Sequence, residues 1–202
     1  MKPEIINSNI AYVHKGSRGT SVIPLDSEFL TKRVVPIFGS ITAEAAQDFY
    51  KSFMFLSGSK EPIIVPIFSN GGEVSAGRSM YDTMQLCGCE VHTVCVGIAA
   101  SMAATLLAAG TKGHRSIIPH GEVMIHEVLV GGGIGGSATS ISRISQSVNE
   151  TRDLMNGILA RHTGKSIEEI NKATSFDNYM NAEQAVEFGI CDNIVTDIFK
   201  EV

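Results

Sequence analysis

Residues 91–110 read VHTVCVGIAASMAATLLAAG. Val91 to Val96 is a strand candidate, and the alanine- and leucine-rich GIAASMAATLLAAG after it reads as a helix that stops at Gly110. The same rhythm extends outward on both sides. Upstream, Ile63 to Phe68 is a strand ending in SNGG, and Val74 to Leu86, with Met80, Tyr81 and Met84, reads as a helix. Further upstream, the apolar run Val34 to Phe38 precedes Ala45, Phe49, Phe53 and Leu56 at helical spacing. Downstream, Ile117–Ile118 and Val123 to Ile125 are two more short strands. Strand alternating with helix predicts an α/β fold with a largely parallel sheet.

Beyond the glycine-rich patch Gly131 to Gly136 lies the longest helical pattern, Ala138 to His162. Ile141, Ile144, Val148, Met155, Ile158 and Leu159 form its apolar stripe, with Arg143, Gln146, Asn149 and Glu150 on much of the rest. A lone helix of this length cannot bury both ends in a small domain. It reads as projecting, with its stripe covered by a partner subunit, against the plainer reading of a core helix. Two short helices follow. Ser166 with Glu169 and Asn181 with Gln184 are capping-box patterns, Gly189 closes the second, and Asp177 lies in the loop between. At the start, Asn9–His14 and Thr20–Leu25 around KGSRG read either as a hairpin or as a frayed terminus. The 202 residues suit one domain, 27–202, preceded by this segment, 1–26.

Composition excludes several classes. No stretch of about 18 residues is continuously apolar, so no membrane span is expected, and the N-terminus lacks the pattern of a secretory signal. A net charge of −5 argues against nucleic acid as a partner. Cys87, Cys89, Cys95 and Cys191 form no CxxC pair and no Cys/His cluster with zinc spacing, so no metal is expected. The cysteines read as reduced, mostly buried thiols in a cytoplasmic setting.

Three features carry chemistry. Ser101 stands among very small residues where a strand gives way to a helix, whose free N–H groups and dipole suit an oxyanion. Taken alone, such a serine is more often a helix cap. Gly71–Gly72 directly follows a strand and allows close backbone approach, though a plain turn is the commoner use. His126 ends the apolar run Val123–Ile125 beside the glycine-rich loop. It is the only one of the six histidines at the end of a core-like strand beside such a loop, and reads either as a base and then acid near neutral pH or as a structural histidine. His14, His92, His114, His120 and His162 have polar or turn surroundings and need no role.

Together the pieces resemble the Clp (caseinolytic) protease proteolytic subunit family. The resemblance runs from about Ser27 to Val195. Its residues are GIAASMAATLLAAGTKGHRSIIPHGEVMIHEVL, SEFLTKRVVPIFGSI, NGG with GRSMYDTMQ after it, and TSFDNYMNAEQAVEFGICDNI. The resemblance implies a serine endopeptidase with a Ser101, His126 and Asp177 triad and an oxyanion hole from the backbone N–H groups of Gly72 and Met102. It implies a ββα-superhelix (crotonase-like) core with residues 138–162 as a handle helix between stacked seven-membered rings, and N-terminal hairpins lining an axial pore. A partner AAA+ unfoldase would use ATP and feed in unfolded polypeptide. This chain has no Walker A pattern and no cofactor is implied.

The sequence departs from the family in places. FSNGG lacks the usual proline before the glycine pair, Ala103 replaces a glycine, and Glu127–Val128 replaces Gln-Pro. Ser175–Phe176 stands where an acidic–arginine pair often bridges the rings, so another ring contact is expected, with a triad less aligned in isolation. Three alternatives stand beside the peptidase. One is an inactive or conditionally active subunit of a ring mixed with a paralogue. The others are a crotonase-type acyl-CoA enzyme and a non-enzymatic ring scaffold.

Overall fold

The computed structural model describes residues 11–16, 19–133 and 135–197. Strands β1 (Ala11–Gly16) and β2 (Gly19–Pro24) pair antiparallel, with Ala11 opposite Pro24. Asn9 and Ile10 of the expected first strand, and Ser17–Arg18 of its turn, lie outside the described residues. Helix α1 (Leu25–Thr31) leads into the body; no sequence signal had separated it from the strand before it.

The body is α/β, as the alternation implied. Strand β3 (Ile37–Phe38) is followed by α2 (Ala43–Leu56), β4 (Ile63–Ser69), α3 (Val74–Leu86), β5 (Val91–Ala100), α4 (Met102–Ala108), β6 (Arg115–Ile117) and β7 (Glu122–Ile125). Helix α5 (Ala138–Thr163), α6 (Ile167–Thr174), β8 (Asn178–Met180), α7 (Ala182–Phe188) and β9 (Asn193–Ile194) complete it. The sheet runs β3-β4-β5-β6-β9, all parallel. Strand β3 is shorter than the Val34–Phe38 run because Pro36 has no N–H to give the ladder. Val34 makes only an isolated bridge to Ile64.

Alternation along β4 divides the sheet. Ile63, Val65 and Ile67 are fully buried among residues of α2, α3 and α4. Phe68, on the other face, is exposed. In α2, Thr42 caps the first turn by accepting from Ala45 N–H. Ala46, Phe49, Phe53 and Leu56 are buried. The stripe thus starts one residue later than Ala45, which is half-buried.

Strand β5 is longer than its apolar run. Gly97–Ala100 is strand and not the start of a helix, because the second half of β5 has its own partner. Thr93–Cys95 pairs with β6, and Ile98–Ala100 pairs with β7 along the same edge. The alanines' helix preference, a few tenths of a kcal/mol each, loses to that ladder. Both expected capping boxes are present, at Ser166/Glu169 and Asn181/Gln184, and Gly189 closes α7 at φ +94°.

Helix α5 buries only its C-terminal half, through Met155, Asn156, Ile158 and Leu159. Of its N-terminal apolar residues, Ile141 is exposed and Ile144 and Val148 are half-buried. No described helix is long and apolar enough to cross a membrane.

Candidate active site

Strand register alone brings three chemical groups together. Ala100 pairs with Met124 in the parallel β5–β7 ladder, and Ser101 N–H donates to Met124 O at 2.7 Å. Ser101 therefore leaves its strand level with the last residues of β7, and His126 is the next residue out. Strand β8 runs antiparallel to β7 with Ile125 opposite Asn178. One step further along that register, His126 faces Asp177. The side chains complete what the backbone begins. His126 Nε2 lies 2.7 Å from Ser101 Oγ, and His126 Nδ1 lies 3.3 Å from Asp177 Oδ1.

Ser101 is held in a conformation that an L-residue rarely adopts, φ 56° and ψ −122°. Such backbone costs about 1–3 kcal/mol and persists only where surrounding structure enforces it. Here the ladder bond to Met124 fixes its N–H, and Ala104 and Thr105 N–H of the first turn of α4 donate to its carbonyl. Although it is the N-cap of α4, its side chain makes no capping bond. The plain capping reading therefore fails, and the hydroxyl is spent on His126.

The glycine pair is packed against this turn. A Cβ on Gly71 would lie 2.7 Å from Ala100 O and 2.9 Å from Ser101 Cβ, and one on Gly72 would lie 2.2 Å from Ile41 O. Neither position has room for a side chain, and their φ values of +89° and +155° favour glycine as well. The parallel bridge between Ile41 and Gly72 uses Gly71 O and Glu73 N–H. That pattern leaves Gly72 N–H unspent. Met102, the first residue of α4, likewise has an N–H that the helix cannot use. Neither N–H finds an acceptor among the described residues.

A cleft of about 190 Å³ opens beside Ser101. Gly72, Met102 and His126 line it, and Ile125, Met155 and Leu159 are among its apolar walls. Asn156 Nδ2 at its edge donates to Asn171 Oδ1 at 2.7 Å, joining α5 to α6. Met155 and Leu159 belong to the stripe that read as covered by a partner. The C-terminal part of that stripe instead packs into the body and walls the cleft. Apolar spacing revealed the stripe, but not which half was buried.

Asp177 is the looser member. Its side chain is 63% exposed, and 3.3 Å exceeds the 2.7–2.9 Å typical of a charge-assisted bond. Before it, Ser175 Oγ donates to Lys172 O, and Phe176 is exposed. Neither fixes the carboxylate from the side.

The Clp protease family profile matches residues 17–197 of this chain. The ATP-dependent Clp protease proteolytic subunit of Ligilactobacillus salivarius (strain UCC118) is 40% identical over 185 residues, covering 91% of this chain and 93% of that relative. With an α/β fold of this type and a likeness spanning nearly its whole length, the chain belongs to the Clp protease family.

Proposed function

We propose that this chain is a serine endopeptidase subunit that uses Ser101, His126 and Asp177. His126 Nε2 takes the Ser101 hydroxyl proton as Oγ attacks a peptide carbonyl. Gly72 and Met102 N–H groups hold the developing oxyanion. The protonated His126 gives its proton to the leaving amine, the acyl-enzyme remains, and water activated by the same imidazole releases it. Asp177 orients the imidazole and stabilises its cation. No cofactor or metal enters these steps. The observation that carries this reading is the 2.7 Å contact between His126 Nε2 and a Ser101 hydroxyl freed from capping by a strained backbone. The apolar walls of the cleft favour an apolar side chain before the scissile bond.

In this reading the subunits form stacked seven-membered rings, homomeric or mixed with a paralogue, and the exposed N-terminal half of α5 is the handle between them. The relative's name contains "ATP-dependent", and this chain has no nucleotide motif of its own, which supports an AAA+ unfoldase as partner. That partner would deliver unfolded polypeptide for cleavage to short peptides. A cytoplasmic location follows from this role. The test is hydrolysis of fluorogenic peptides bearing leucine or aspartate before the scissile bond, with and without Ser101→Ala. Cleavage of the leucine peptide, lost in the variant by about 10⁶-fold, is expected. Equal hydrolysis by the variant would sink the proposal.

One observation favours a second reading, a subunit active only in a mixed ring. The His126–Asp177 contact is long and its carboxylate open to solvent. A ring neighbour that fixes Asp177 would then raise activity, which titration with a paralogue would reveal.

A further inference from the structure

The β5–β6 ladder also builds a second cluster, far along the sheet from Ser101. Thr93 pairs with Arg115, and both face the helices: Thr93 Oγ1 donates to Leu107 O and Arg115 Nη1 to Ala108 O. Strand side chains alternate, so the preceding residues, His92 and His114, share the opposite face as lateral neighbours. Glu90, two residues before His92, joins them there. The two imidazoles stack with centroids 3.9 Å apart and planes 2° apart. Glu90 Oε2 lies 3.2 Å from His92 Nε2. One ligand atom from each of the three lies within 4.8 Å of the others. Among the described residues no other such trio of His, Cys or carboxylate groups comes together.

We propose that Glu90, His92 and His114 bind a divalent transition-metal ion, zinc in the first instance. Two imidazoles and one carboxylate are borderline donors that suit zinc, nickel or copper, whereas calcium and magnesium take oxygen ligands. The stacked rings hold their lone pairs in parallel planes, so His114 must tilt out of the stack before both imidazoles can face one ion. Ligands at about 2.0–2.2 Å from a tetrahedral ion sit closer together than these three ligand atoms do. Rotation of the exposed Glu90 and His114 side chains closes that gap. A fourth position remains for water. Linear spacing hid the site, because His92 and His114 are distant in sequence and only strand register makes them adjacent. The ion would tie the start of β5 to the turn Thr111–His114 that precedes β6.

The rival ligands are close by. Cys87 Sγ and Cys89 Sγ lie 3.5 Å apart just before Glu90. The experiment is a zinc titration of the untagged, assembled protein against a chromophoric zinc indicator. It is run on the parent, His92→Gln, His114→Gln, Glu90→Gln and the Cys87→Ser/Cys89→Ser pair, each checked for an unchanged circular dichroism spectrum. One zinc per chain is expected. Affinity should fall more than about 10-fold in each histidine variant, fall less in the glutamate variant, and hold in the serine pair. The parent's melting temperature should rise with zinc concentration, and that of His114→Gln should not. Absence of a stoichiometric zinc, or binding that survives both histidine variants and disappears in the serine pair, overturns the proposal.

Discussion

A Cβ on Gly72 would lie 2.2 Å from Ile41 O, so Gly72→Ala must push apart the backbone that aims its N–H. The expected result is a kcat about 10²–10³-fold lower, the usual effect of losing one oxyanion donor, with labelling of Ser101 slowed in parallel. Steady-state kinetics on a short peptide check it. Asp192 is critical to stability in a different way. It binds Arg115, whose side chain is 1% exposed, through Nε at 2.8 Å and Nη2 at 2.6 Å. Asp192→Asn leaves that guanidinium without its counter-charge, and a loss of about 3–5 kcal/mol is expected in urea denaturation. Burial pushes the Asp192 carboxyl up, but the bonds from Arg115, Lys112 and Gly113 N–H outweigh it and hold the group well below its ordinary 3.8. Its contribution is therefore present above about pH 4 and fades as pH falls further toward the folded value. The closeness of Ser101 and His126 was legible at this scale only through family resemblance, since each alone reads more often as a helix cap or a structural histidine. The strained φ of Ser101 was not legible, since it arises from the ladder bond to Met124 and not from any local preference.

At the scale of elements, α3 and α5 are tied where Tyr81 Oη meets His162 Nε2 at 3.1 Å. Burial, followed by the charges of Arg115 and Arg161, lowers the His162 pKa from 6.5 to about 4. A histidine kept neutral in the fold binds a proton more readily once unfolded. Its contribution is thus complete above pH 6.5 and is lost as pH falls from there to about 4. The melting temperature should drop across that window, and His162→Gln should flatten the drop relative to the parent. His162 had looked dispensable in sequence because its polar neighbours gave no sign of burial. Helix α3 and both capping boxes were legible, since spacing and caps are local signals. The strand Gly97–Ala100 was not, because its pairing partner lies more than twenty residues away in β7. Strands β8 and β9 are only a few residues long and carry no periodicity of their own.

For the whole molecule, the alternation of strand and helix fixed the α/β class, and the register of β7 against β5 and β8 built the site. Asp177 could be assigned in sequence only through family resemblance, because its approach to His126 depends on a three-strand register. If the exposed half of α5 is the contact between rings, Ile141→Asp should leave the subunit fold intact. Ile141 is 43% exposed, so its circular dichroism melt should move little while double rings separate into single ones in native mass spectrometry. Unchanged double rings would remove α5 from that contact. The most direct test of the central claim, that Ser101 is an activated nucleophile, is fluorophosphonate labelling of the assembled protein followed by mapping of the adduct. One adduct per chain on Ser101, absent in Ser101→Ala and strongly reduced in His126→Ala, is the predicted result. Folded protein that takes no label, or takes it at another serine, would contradict the account.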